Sequence, residues 1–171
     1  LPEQLGLTKN KIIWIGPPPS AMRALGDKIG STLIAQSAGV SCMSWSGDNL
    51  IVDYNNHGIP DDIYQQACVN NVDEALLACE RIGYPCMIKA SEGGGGKGIR
   101  KVETKEQVKI AYEQVCGELI GSPVFIMRLA SNCRHLEVQL LGDSYGNAIA
   151  IAGRDCSIQR RHQKIIEEGP V

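Results

Sequence analysis

At 171 residues, with 43% apolar and 21% charged side chains, the chain has an ordinary globular composition, long enough for one domain or two small ones. Seventeen basic against nineteen acidic side chains leave a formal charge of −2, so no overall field draws it to nucleic acid or to an anionic membrane. Its seven cysteines (Cys42, Cys68, Cys79, Cys86, Cys116, Cys133 and Cys156) form an odd set with no C-x-x-C pair, which argues against a disulfide framework or a zinc site and for thiols in a reducing compartment. The opening stretch LPEQLGLTKNKIIWIG lacks the pattern of a signal peptide. No apolar run approaches the roughly 20 residues of a membrane span, so a soluble, untargeted segment is expected.

In chain order, KIIWIG (Lys11 to Gly16), ended by Gly16-Pro17-Pro18-Pro19, predicts a buried strand and a sharp turn. Ser20 then reads as the cap of one helix with Met22, Leu25, Ile29, Leu33 and Ile34 at helical spacing and Gly39 at its left-handed end. VSCMSW reads as a strand, and the Gly-, Asp- and Asn-rich stretch from Ser46 to Pro60 as a boundary between structural units. Asn71 to Glu74 fits a capping box for a helix ending near Gly83, with Pro85 as a stop. A further helix is expected from a cap at Thr104 to about Ile120. Strands follow at VFIMRLA, HLEVQLLGD and AIAIAG, the last two joined by the turn DSYGN.

The stretch IKASEGGGGKGIRKV (Ile88 to Val102) holds four consecutive glycines. Glycine loses the most conformational freedom on folding, so such a run implies positive φ angles or close approach to something bulky. The P-loop pattern fails, because Ser91 stands at its first glycine and Gly98 at its hydroxyl position. Gly93, Gly95 and Gly98 match G-x-G-x-x-G, but IRKV after them reads as a strand, where that fingerprint needs a helix. What remains is a hairpin whose tip can offer backbone N–H groups to phosphate oxygens, flanked by Lys89 and Lys97. A tip without side chains is expected to lack fixed partners from Glu92 to Gly98 until a ligand supplies them.

Two other stretches carry candidate chemistry. In HLEVQLLGD a period of two puts His135, Glu137 and Gln139 on one face and Leu136, Val138 and Leu140 on the other, the second face being expected in the core. RDCSIQRRHQK packs four Arg or Lys side chains with Gln159 and His162 into Arg154–Lys164. Taken alone, either stretch reads as a solvated surface, and the absence of accompanying aromatic residues weighs against nucleic-acid binding.

Together, MIKASEGGGGKGIRKV, FIMRLASNCRHLEVQLLGD and GRDCSIQRRHQKIIEEGP, in this order, resemble the biotin carboxylase branch of the ATP-grasp enzymes. GPPPSAMRALGDKIGSTLIAQSAGV and WSG resemble it too, and IPDDIYQQACVNNVDEALLACERIGYP is closer to the multidomain eukaryotic acetyl-CoA carboxylases than to free-standing bacterial subunits. The resemblance implies an α/β (α+β) ATP-grasp fold, seen here as a fragment. Residues 1–58 would end an N-terminal domain with its linker helix, 59–128 would form the small lid subdomain with the glycine-rich hairpin, and 129–171 would begin a truncated C-terminal domain.

By matching position, the resemblance implies that Lys89 and Lys28 contact nucleotide phosphates and that Gly95 and Gly96 cover them. Met127, Arg128, Leu129 and Ala130 would form a hinge beside adenine, and His135, Gln159 and His162 would line the ribose and phosphates. Lys164 would reach bicarbonate, with Lys89 and His162 also in the catalytic set. The implied reaction is ATP- and bicarbonate-dependent carboxylation of biotin through carboxyphosphate, on the way to malonyl-CoA for fatty acid synthesis. Magnesium or manganese is implied, with ligands outside this chain; Glu167 and Glu168 match no ligand motif. Biotin would ride on a carrier domain of the same polypeptide, in a homo-oligomeric parent that is cytoplasmic or, with a transit peptide, plastidic. A pyruvate or propionyl-CoA carboxylase, a carbamoyl-phosphate-forming enzyme and a non-catalytic nucleotide-binding module are the alternative readings.

Overall fold

Every second side chain of the strand β1 (Cys86–Ala90) is buried in the computed structural model, which describes residues 14–54, 58–161 and 163–171. Its contacts divide the chain into two units. One takes the described residues up to Gly93 with Lys97–Leu129; the other takes Gly94–Gly96 and Ala130–Val171.

In the first unit, β1 is the central strand of an antiparallel sheet, between β2 (Ile99–Val102) and β3 (Val124–Arg128). β1 and β2 flank the glycine loop as a hairpin with Lys89 opposite Ile99, and on the other side Lys89 stands opposite Phe125. Cys86, Ile88 and Ala90 point to one face, where they pack with Ala75, Cys79 and Ile82 of helix α4 (Val72–Ile82) and Val108, Ala111 and Val115 of α5 (Val108–Glu118). Phe125 joins the opposite cluster, with Trp45 edge-on at 6.2 Å between ring centroids and Ile29 and Leu33 beneath. Each fully buried aliphatic or aromatic side chain contributes about 1.5–3 kcal/mol.

The helical region before this sheet differs from the sequence reading. It forms two helices, α1 (Pro19–Gly26) and α2 (Lys28–Ser37), and Pro18, not Ser20, occupies the first N-cap. The break lies at Asp27, extended at φ −92° and ψ 137°, whose carboxylate accepts the Gly30 N–H at 2.7 Å and so caps α2. Gly39 does adopt the left-handed conformation expected of it. Trp14–Gly16 are exposed and outside any strand, and the rest of KIIWIG lies outside the described residues. VSCMSW is no strand either: only Trp45 makes a bridge, to Met127, because its indole is buried against Phe125 and donates to Gln36 Oε1 at 2.9 Å. A short helix, α3 (Asp61–Ala67), precedes α4. The Asn71 cap of α4 is present, with Asn71 Oδ1 accepting the Glu74 N–H at 2.9 Å, and Gly83 ends the helix at φ +85°. Thr104 makes no side-chain cap; a 3-10 turn over Lys105–Gln107 opens α5, and Gln107 Oε1 accepts the Glu103 N–H at 2.8 Å.

The second unit is an antiparallel pair, β4 (Leu136–Gly142) and β5 (Ala148–Asp155), followed by the small hairpin β6 (Gln159–Arg160) and β7 (Gln163–Lys164). Asp143 closes the β4–β5 turn by accepting the N–H groups of Tyr145 and Asn147. Leu136, Val138 and Leu140 do not form a core: they are 55–65% exposed, and neither apolar cluster includes them. All seven cysteines are free thiols, and among the described residues no helix is long and apolar enough to cross a membrane.

Candidate functional site

Two lysines meet at the base of the glycine loop. Lys28, at the first turn of α2, donates from Nζ to the carbonyls of Ser91, at 2.6 Å, and Gly93. Lys89 lies on the Phe125 face of the sheet, its Nζ 5.2 Å from that ring's centroid. Burial, and after it the charge of Lys28, lower the Lys89 pKa. A half-buried ammonium whose charge is disfavoured by burial and by a second ammonium is a place where an anion is stabilised.

The loop itself uses its glycines unequally. Gly95, Gly96 and Gly98 have φ of +60°, +85° and +65°, angles costly for other residues. At Gly93 a Cβ would lie 2.5 Å from the Lys97 carbonyl oxygen, whereas at Gly94 it would meet nothing within 4 Å. The expectation of a loop without fixed partners holds only in part. Gly93 is held through its carbonyl by Lys28, Glu92 N–H donates to Ser122 Oγ at 3.1 Å, and Gly98 N–H to Glu118 at 2.7 Å. These bonds form because both ends of the loop lie against the packed helices α2 and α5.

The expected hinge residues are partly committed to the fold. Arg128 N–H donates to Ser44 O and Leu129 N–H to Pro85 O, while the Arg128 guanidinium donates to Ile82 O at 3.0 Å, at the C-terminal end of α4. Met127 pairs with Met87, and Ala130 belongs to the second unit.

In that second unit the organising residue is Glu137. It accepts from Lys164 and from Arg154, whose Nε lies 2.8 Å away. These two hydrogen bonds, Lys164 first, hold its carboxyl down at about 2. Arg154 also donates to Gln139 Oε1 at 3.1 Å and pairs with Glu167 at 3.3 Å. Gln159 stands opposite Lys164 in the β6–β7 register and donates to Cys156 O at 3.2 Å. His135 is exposed; its backbone carbonyl accepts the Cys156 N–H. His162 lies outside the described residues.

Sequence reasoning assigned no role to Asp27 or Ser91, which clasp the loop base, nor to Arg154 and Glu137 as an ion-paired set. A signal for Asp27 exists: Asp directly before an apolar-periodic run is a cap candidate. Nothing local marks Ser91.

Residues 55–171 match the family model described as the carbamoyl-phosphate synthase L chain, ATP binding domain. The chain belongs to this ATP-binding family. A family relative in Schizosaccharomyces pombe, its acetyl-CoA carboxylase, is 59% identical over 176 residues, which take in 100% of this chain but only 8% of that protein. Among solved structures, the β,γ-ATP complex of the Campylobacter jejuni biotin carboxylase is similar at a TM-score of 0.81 and 35% identity, over 96% of this chain and 34% of its own. The biotin carboxylase domain of the Hydrogenobacter thermophilus 2-oxoglutarate carboxylase, solved with MgADP, ADP and bicarbonate, follows at 0.78 and 33%, over 94% of this chain and 32% of its own. The fold is the ATP-grasp fold of the biotin carboxylases, and the chain is a fragment of it.

Proposed function

We propose that the chain is the nucleotide-handling part of the biotin carboxylase component of an acetyl-CoA carboxylase, which uses ATP and bicarbonate to carboxylate biotin toward malonyl-CoA. The observation that carries this reading is the Lys28–Lys89 pair beside the glycine hairpin, where an ATP phosphate chain would relieve the cost of charging half-buried Lys89 next to a second ammonium. In support, the Campylobacter relative was solved with a form of ATP and the Hydrogenobacter one with MgADP and bicarbonate. Lys89 and Lys28 bind phosphates in this reading, and the N–H groups of Gly95 and Gly96 cover them. Met127 to Ala130 border the base, and His135, Gln159 and His162 border the ribose and phosphates. Lys164 takes bicarbonate. Phosphoryl transfer to bicarbonate needs little covalent chemistry from the protein, so these residues act by positioning and by offsetting negative charge. Its product, carboxyphosphate, is labile in water, which suits a loop able to exclude solvent.

Magnesium belongs to the same reading, but the acidic cluster present does not fit it. Glu137, Cys156 and Glu167 bring their ligand atoms within 4.8 Å of one another. One of the three is a buried thiol, and Glu137 is already neutralised by Lys164 and Arg154, whereas magnesium takes oxygen ligands. In this reading the magnesium ligands lie outside this chain. The biotin carrier domain, a homo-oligomeric cytoplasmic parent, and division into 1–58, 59–128 and 129–171 as neighbouring domain, lid and second domain are parts of the same proposal.

The test is radiolabelled bicarbonate given to the full-length protein with ATP, with and without acetyl-CoA. ATP-dependent label on the protein's biotin, passing to an acid-stable acyl-CoA product, is expected. ATP cleavage that needs no bicarbonate would sink the reading.

A further inference from the structure

The nucleotide reading leaves Asp27 without a task, yet its carboxylate joins three elements: α2, α3 and the base of the glycine loop. One carboxylate oxygen accepts the Gly30 N–H at 2.7 Å and caps α2. The other accepts Ser91 Oγ at 2.5 Å and Tyr64 Oη at 3.1 Å. Ser91 is 3% exposed, so its hydroxyl has no solvent to turn to. Its backbone N–H is bonded to Pro123 O at 2.8 Å, and its carbonyl accepts from Lys28, the residue after Asp27. Asp27 and Lys28 thus grip the first residues of the loop as a pair, carboxylate to hydroxyl and ammonium to the carbonyls of Ser91 and Gly93. An N-cap alone would need one oxygen; the second is spent on the loop.

We propose that Asp27 is the positioning residue of the glycine loop, fixing through Ser91 and Lys28 the point from which Gly94–Gly96 departs. Tyr64 completes the grip from α3, and burial, reinforced by the Asp27 charge, drives its pKa far above the ordinary tyrosine value, keeping the phenol a donor at all working pH. The consequence for function rests on the reading of the loop as a nucleotide cover. A base held at one place confines the tip to the orientations from which its N–H groups meet phosphate, so less ordering entropy remains to be lost on binding. Asp27 itself touches no reacting atom and acts through Ser91 and Lys28.

Ser91→Ala removes the loop half of the grip and leaves the α2 cap intact. Asp27→Asn keeps an oxygen for the cap but removes the second carboxylate oxygen. In the full-length protein without nucleotide, both should accelerate amide exchange at Glu92, Gly93 and Gly98 at least tenfold, with exchange in α2 unchanged in Ser91→Ala. Both should raise the KM for ATP about tenfold with kcat within twofold, a split that general destabilisation does not produce. Unchanged exchange in the nucleotide-free variants overturns the proposal, and faster exchange with an unchanged KM overturns its consequence for ATP binding. A separate arm guards the underlying reading: a non-hydrolysable ATP analogue added to the unsubstituted protein should slow exchange from Gly94 to Gly96. If it does not, the loop is no nucleotide cover, while the nucleotide-free comparison still decides whether Asp27 fixes the loop.

Discussion

Lys89 and Glu137 both make stability rise with pH, but in different pH windows and for opposite reasons. Lys89 has a folded pKa below its usual value, so between the two the unfolded chain binds more protons and stability rises with pH; the charged form is a cost at neutral pH. Lys89→Met should therefore leave the nucleotide-free full-length protein melting no lower than the unsubstituted protein at pH 7, even after loss of a Phe125 contact of about 0.5–1 kcal/mol. The same change should raise the KM for ATP tenfold or more, corresponding to ~1.5–3 kcal/mol for a hydrogen bond to a charged group. A lower melting temperature with unchanged KM would make Lys89 a structural residue. Glu137 has the same sign of slope at acid pH, but there the charged form is the stabilising one. Its carboxyl, held at about 2 by Lys164 and Arg154, contributes stability that is complete at neutral pH and is lost as pH falls from the ordinary carboxylate range toward 2. Asp155, held at about 2 by Ser157 and Arg134, has the same sign, so the signature is a difference: urea midpoints of Glu137→Gln should fall less steeply below pH 4.5 than those of the unsubstituted protein. Parallel curves would remove Glu137 from the linkage.

What the sequence made legible at the level of elements follows the range of the interactions involved. The start of α4 could be read because its cap is local: Asn71 Oδ1 takes the Glu74 N–H, and the Glu74 carboxylate takes the Asn70 N–H at 2.8 Å. Asn71→Ala should cost about 1 kcal/mol in urea unfolding and Asn71→Ser much less; equal losses would mean the bond is not what matters. The glycine hairpin was legible for the same reason, since β1 and β2 are near neighbours in sequence. Within it, Gly98→Ala should destabilise by about 1–2 kcal/mol or more, on the scale of left-handed backbone strain, as its Cβ would also press on Leu119 and Ala90, while Gly94→Ala should be neutral. At the break between α1 and α2 only the cap candidate Asp27 was legible; the partners that hold it extended, Ser91 and Tyr64, are 64 and 37 residues away. VSCMSW misled for a related reason. Its apolar content serves the burial of Trp45 against Phe125, a tertiary contact that looks like strand propensity in a local window.

At the scale of the whole molecule, resemblance identified Lys28, Lys89 and Lys164 together, but the structure gives them different surroundings. Lys28 and Lys89 stand in the sheet-and-helix unit beside the loop, and Lys164 stands in the β-hairpin unit, bound to Glu137. If the two units serve one reaction, their lysines should be separable by substrate. If Lys164 takes bicarbonate, that anion must share its ammonium with the Glu137 carboxylate, a competition between two anions for one cation. Lys164→Ala in the full-length protein should therefore lower bicarbonate-dependent ATP cleavage at least a hundredfold, while ATP-analogue affinity, measured by calorimetry, changes less than threefold. Lys89→Ala should do the reverse, weakening the analogue about tenfold or more and leaving the KM for bicarbonate near its starting value. Equal losses of nucleotide affinity in both variants would mean that Lys164 is a phosphate ligand and that the division of labour between the units does not exist. Retained bicarbonate dependence in Lys164→Ala would move the bicarbonate site away from the Glu137 cluster altogether.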